Sequence, residues 1–163
     1  MINASKLTEP SQANCDTHSA SPFFCAYNTA STDHFYTMNY NEMNVCIASG
    51  QYIFEGNMGL AFGLPTMSAT LLYRLYSSSA TDHFYTTDQA EALRMIVEMG
   101  YDDEGTAAYV YTTQLCGSIP LYRLYSPSAM DHFYTTNKTE QEHAIAELGY
   151  VSEGIACYVL PDL

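Results

Sequence analysis

The chain has no tryptophan, and only 5 of its 163 residues are Lys or Arg, against 18 Asp or Glu. A formal net charge of −13 repels phosphate backbones and anionic headgroups, which excludes nucleic acid and a membrane surface as partners. No stretch approaches the ~18 consecutive apolar residues of a membrane span, so no membrane insertion is expected, and Met1–Pro10 has no apolar signal core. Catalytic signatures are missing too: there is no Gly-rich phosphate loop, no G-x-S-x-G elbow and no H-E-x-x-H pair. The five cysteines, Cys15, Cys25, Cys46, Cys116 and Cys157, form no C-x-x-C pair, and no His stands at zinc-finger spacing from them. That argues against structural zinc, and no cofactor is expected.

What the chain does have is a period. Asp-His-Phe-Tyr-Thr occurs at Asp33–Thr37, Asp82–Thr86 and Asp131–Thr135, each 49 residues from the next. Tyr27, Tyr76 and Tyr125 keep this register, as do Glu55-Gly56, Glu104-Gly105 and Glu153-Gly154. A fixed period of this length marks supersecondary units that bury their faces against one another.

In the second copy, Leu71–Tyr76 and His83–Thr87 read as strands joined by a hairpin-length turn at Ser77-Ser78-Ser79. Asp88 then caps a helix of about three turns, with Glu91 three residues on, a capping box that recurs as Asn39 with Glu42 and Asn137 with Glu140. Gly100 and Gly149 supply left-handed stops, and Thr106–Tyr111 reads as another strand. The expected fold is α+β, with three strand-strand-helix-strand repeats near 22–63, 71–112 and 120–161 in one pseudo-threefold domain over 22–163. Residues 1–21 form an N-terminal extension, and a β-trefoil is the alternative fold. A disulfide among Cys15, Cys25 and Cys46 would staple the first copy, the most divergent one.

The Asp-His pair is the most reactive feature, because a carboxylate and an imidazole can orient sugar hydroxyls, bind metal or move protons. Strand alternation puts Asp82, Phe84 and Thr86 on one face and His83 and Tyr85 on the other, so sequence neighbours do not share one site. The candidate ligand-binding residues are Asp33, Asp82 and Asp131, then His34, His83 and His132, with Arg74, Arg123, Glu104, Glu153, Tyr85 and Tyr134. No catalytic or metal-ligating residue is assigned. The Phe of each copy is expected in the core, and Gly56, Gly105 and Gly154 at positive φ. Cys25 stands where the other copies have Arg74 and Arg123, so an Arg–Glu pair can form only in the second and third copies.

Between residues 121 and 159 the chain reads Leu-Tyr-Arg-Leu-Tyr, Asp-His-Phe-Tyr-Thr-Thr, Leu-Gly-Tyr and Glu-Gly-Ile-Ala-Cys-Tyr-Val in turn. With its looser copies, this resembles a tandem-repeat module of fungal and bacterial secreted proteins, known largely as a domain of unknown function. That module is often appended to secreted lipases, peptidases or cell-wall hydrolases, and the resemblance covers residues 22–160. It implies an accessory, glycan-binding role and supplies no binding residues. The first copy departs most, having Gln51-Tyr52 where the others have Gly-Tyr and lacking the Arg.

These features point to a multivalent, lectin-like carbohydrate-binding protein without catalysis, whose partners are neutral glycans or glycoproteins. Weak single contacts with sugars gain by multivalency. The alternatives are a protease inhibitor or defence protein acting through the Gly63–Thr70 or Thr112–Ile119 linkers, a structural interaction module and, last, a hydrolase using Asp, His and Glu. The sequons Asn3-Ala4-Ser5 and Asn137-Lys138-Thr139 fit a secreted or extracellular protein, with the cytoplasm as the alternative compartment.

Overall fold

Three short hairpins begin with the same device. Thr32, Thr81 and Met130, each just before an Asp-His-Phe-Tyr-Thr run, take left-handed backbone conformations with φ of 57°, 56° and 56°. That region costs a non-glycine residue about 1–2 kcal/mol, and here it turns the chain so that the strand after it enters the interior at once. All five residues of each such strand are buried.

The computed structural model describes residues 15–162. The N-terminal extension as far as residue 14, with its Asn3 sequon, and Leu163 lie outside the described residues. In chain order the elements are β1 (Ala20–Asn28), β2 (Asp33–Thr37), α1 (Tyr40–Ala48), β3 (Ile53–Phe62), β4 (Thr70–Ser77) and β5 (Asp82–Thr86). They continue as α2 (Gln89–Met99), β6 (Asp102–Val110), β7 (Ile119–Ser126), β8 (Asp131–Thr135), α3 (Lys138–Glu147) and β9 (Val151–Val159).

The α+β expectation is corrected by how these elements assemble. The described chain is 47% strand against 20% helix, mostly antiparallel sheet curled as a half-barrel. Hydrogen bonding does not divide it into three equal strand-strand-helix-strand modules. One six-stranded sheet runs β2-β1-β3-β6-β4-β5, and a separate three-stranded sheet runs β8-β7-β9. The first two copies fuse where Phe62 of β3 pairs with Tyr109 of β6, while isolated bridges, Leu60 to Leu160 and Tyr111 to Tyr158, tie the third sheet on. The helices contribute little to the core: Met43 is buried in α1, Ala92 in α2, Gln141 and Ala144 in α3. Three helices lying between strands also set the chain apart from a β-trefoil.

Each helix starts at a polar cap, since the side chains of Asn39, Asp88 and Asn137 accept from the backbone amides two and three residues on. The other half of the expected capping box is not made. Thr37 Oγ1 takes the Asn39 amide instead, and Thr86 and Thr135 do the same for Asp88 and Asn137. Glu42, Glu91 and Glu140 are thereby released to point outward, accepting from those same threonine hydroxyls at 2.5 Å.

Two glycine positions matter to the assembly. Gly105, at φ +88°, lies where the register between β4 and β6 shifts, a backbone demand that glycine meets at little cost. At Gly59 an added Cβ would stand 2.6 Å from the Leu160 carbonyl, so only glycine lets β3 approach the chain end.

The core lies between the strands. Phe23, Tyr36, Leu72, Tyr85, Leu121 and Tyr134 belong to one buried cluster, in which every pair among the three tyrosine rings meets edge to face at 5.4 Å. The expected staple of the first copy is corrected as well. Cys15 is bonded to Cys116, in the loop between β6 and β7, while Cys25, Cys46 and Cys157 are free thiols. Cys25 belongs to the central buried cluster and Cys46 packs beside Met43 and Phe35, while the Cys15 sulfur is taken by Cys116. A crosslink over a sequence separation of 101 restricts the unfolded chain by about 3–5 kcal/mol in loop-closure terms.

Candidate functional site

The candidate residues fall into three layers, from the buried interior to the surface. In the innermost layer, the Tyr85 hydroxyl accepts from the Tyr36 amide and donates to the Tyr36 carbonyl. Tyr134 does the same to Tyr85, and Tyr36 to Tyr134, all at 2.8 Å. The cycle closes on itself. Tyr85 and Tyr134 thus bind backbone, and burial pushes their hydroxyls well above the usual tyrosine pKa.

The second layer joins each Asp to the His of the following copy. Asp33 accepts from the His83 amide at 2.9 Å and pairs with His83 Nδ1 at 2.8 Å. Asp82 holds His132 in the same way at 2.7 and 2.6 Å, and Asp131 holds His34 at 3.1 and 2.8 Å. Asp and His of one copy do diverge, as strand alternation requires; the meeting takes place across copies. Tyr52, Tyr101 and Tyr150 complete the carboxylates with hydroxyl bonds of 2.5 to 2.6 Å. Sequence reasoning missed these tyrosines, although their 49-residue spacing was available to find them.

All three Asp are 0% exposed, and one oxygen from each lies within 4.8 Å of the others. Like charges so close are tolerated because every Oδ2 already accepts two bonds and every Oδ1 one. Those bonds are internal, so the cluster serves as a knot between copies.

The outer layer is the seam between copies, and there the three differ. At the first seam, Arg74 reaches from β4 across to the first copy. Its fork bonds Glu42 at 3.0 and 2.9 Å, its Nε lies 2.9 Å from Glu104, and its guanidinium sits 5.3 Å over the Phe35 ring. At the second, Arg123 repeats this with Glu91 at 3.0 and 2.8 Å, Glu153 at 2.8 Å and Phe84 at 4.9 Å. A bidentate guanidinium–carboxylate pair with a ring beneath it is among the stronger polar contacts available to a protein. The His of each seam adds to it, with Nε2 of His83 and His132 at 3.5 and 3.6 Å from Glu104 and Glu153.

At the third seam the same cradle of Phe133, Glu140 and Glu55 faces Cys25, whose thiol lies 3.9 Å from Glu55. Among the described residues no Arg or Lys pairs with either glutamate; the Glu140 carboxylate accepts from Thr135, and its backbone amide donates to Asn137 Oδ1. A cavity of about 400 Å³ opens here, lined by His34, Glu55, Phe133, Glu140, His143 and Tyr150 among others. Ala144, which stands where the other copies have Cys46 and Met95, forms part of its wall. A hollow of about 430 Å³ also flanks the first seam, but its wall includes Arg74 itself, already paired.

Electrostatics follows the same division. Burial opposes charge on His83, but hydrogen bonds to Asp33 and Glu104 outweigh it and raise its pKa to about 9. The bond from His83 in turn holds Glu104 below the usual carboxylate value. Burial also opposes ionisation of Glu42 and Glu91, yet bonds from Arg74 and Arg123 leave both lowered. Glu55 goes the other way: burial pushes it up, and although His34 opposes this, Glu140 adds to it.

The structure thus places the predicted Asp, His and Tyr residues in the interior with internal partners, His34 also lining the open cavity, and Arg74, Arg123, Glu104 and Glu153 in two closed seams. Glu55, Phe133 and Glu140, absent from the expected site, line the open one. Among the described residues no helix is long and apolar enough to cross a membrane. The chain belongs to the DUF5648 family, a domain of unknown function, whose sequence profile matches residues 22–160. No curated protein and no solved structure matches it.

Proposed function

We propose that the chain is a non-catalytic binding module that holds one ligand at the open seam between the third and first copies. The observation that carries this reading is the cavity of about 400 Å³ at the one seam of the three that has no internal cation among the described residues. Its volume falls within the range of small-molecule sites, about 300–1,000 Å³, and it combines aromatic walls with a few convergent polar groups. The groups that would perform acid–base chemistry support recognition over turnover, because each Asp–His pair is spent on holding two copies together.

On this reading the multivalency expected from the sequence, two or three equivalent sites, falls to one, and neutral glycans become one ligand class to be tested at that site. An accessory role beside a secreted hydrolase fits a module that recognises without transforming. A glycan array and a small-molecule thermal-shift screen, run in parallel on wild type and Cys25→Arg, test the reading. Ligands are expected to bind wild type and to be lost when the arginine fills the seam. Ligands retained equally by both proteins would move the site elsewhere, and steady turnover of any ligand would overturn the non-catalytic assignment.

A further inference from the structure

We propose that the ligand of the open seam carries a guanidinium group, seated between Phe133, Glu140 and Glu55 in the place that Arg74 and Arg123 fill from within the chain at the other seams. The inference rests on the reading of this seam as a binding site and adds the chemistry of its ligand.

The cradle is built residue for residue like the two that hold an arginine. Phe133 corresponds to Phe35 and Phe84, Glu140 to Glu42 and Glu91, and Glu55 to Glu104 and Glu153, all in the 49-residue register. In both occupied seams one glutamate receives the guanidinium fork, the other meets Nε, and the ring lies beneath the plane. At the open seam every receiving group is present and, among the described residues, the donor alone is missing, because Cys25 carries a thiol where the other copies carry a guanidinium. Thr135 holds the Glu140 carboxylate at 2.5 Å, as Thr37 and Thr86 hold Glu42 and Glu91, so the acceptor is preorganised before any ligand arrives.

Two carboxylates over an aromatic face select a planar, forked cation over a compact ammonium, which can satisfy neither the bidentate pair nor the stacking. The net charge of −13 draws cations towards the surface. Guanidinium can come from a small molecule or from the arginine of a protein partner, and both present the same group.

The experiment is a calorimetric titration of the full chain with N-acetyl-arginine-methylamide, its lysine and citrulline counterparts, agmatine, and a short peptide with a central arginine. Saturable binding of the arginine compound at one site is expected, weakened about tenfold or more in the lysine and citrulline forms. It should vanish in Cys25→Arg and weaken about tenfold in Glu55→Gln and Glu140→Gln, with the fold of each variant checked by circular dichroism. Tighter binding of the peptide than of agmatine identifies a protein partner, and the reverse a small guanidine. Absence of saturable binding to wild type, or binding unchanged in both Glu55→Gln and Glu140→Gln, overturns the proposal. If arginine compounds fail while another ligand binds in a Cys25-dependent way, the guanidinium assignment falls and the seam remains a binding site. If no ligand responds to any of these substitutions, both fall together.

Discussion

Two seams of this molecule are locked by an arginine; the third has the same phenylalanine and the same two glutamates around a cysteine thiol. Inside them, the tyrosine cycle and the Asp–His knots are alike at all three. The difference teaches that the inner layers suffice to hold the copies together, which leaves the rim free to diverge. An even interior with an uneven rim is what a binding site built on a repeated scaffold requires.

The comparison can be broken most severely from within. Asp82→Ala removes a fully buried carboxylate and leaves the three groups bonded to it without their acceptor, which should cost about 3–5 kcal/mol in urea unfolding. Asp131→Ala, at the open seam, should cost the same if the interior is as even as it looks. A gap of more than about 1 kcal/mol between them would extend the asymmetry inward.

The next effect is one of pH. His83 carries a folded pKa of about 9, above the ~6.5 of an unfolded histidine. Its stabilisation is therefore fully present below about pH 6.5 and lost as pH rises through about 9, by roughly 3 kcal/mol at most. Unfolding curves across that window should show the decline, and His83→Gln should flatten it.

Arg123→Cys would copy the open seam into a closed one. Leaving Glu91 and Glu153 without their cation should cost about 2 kcal/mol, since both are partly solvated, and should raise the number of guanidinium sites from one to two. The smallest effect expected is a gain: Cys25→Arg should raise stability by about 1 kcal/mol by completing the third cradle, read as a higher melting temperature. A loss on that substitution would mean that the seam is shaped for something other than the side chain its neighbours hold.

The sequence made some of this legible and hid the rest for physical reasons. Helix caps are local chemistry, and Asn39, Asp88 and Asn137 announce themselves as such. Fold class depends on which strands pair, and the merging of the first two copies hangs on the single pairing of Phe62 with Tyr109, which no local pattern signals. Replacement of Arg by Cys25 was visible from the register alone. What it meant was not, because Glu42, Glu91 and Glu140 stand where a capping box wants them, and only the competing Thr37, Thr86 and Thr135 hydroxyls turn them outward. Alternation likewise showed that Asp33 and His34 part company, but a period cannot say that Asp33 will meet His83.

The tyrosine cycle also bears on how the chain is made. Its closing bonds join Tyr36 to Tyr134, 98 residues apart, so a nascent chain holding only the first two copies leaves the Tyr36 hydroxyl and the Tyr85 amide without their Tyr134 partners. Such a chain exposes a half-built ring of tyrosines and the free edges of its six-stranded sheet, the surfaces most prone to pairing with a neighbouring chain. Synthesis should therefore leave this protein vulnerable until β8 has emerged, and a truncation before Tyr134 should aggregate where a full-length point variant still folds.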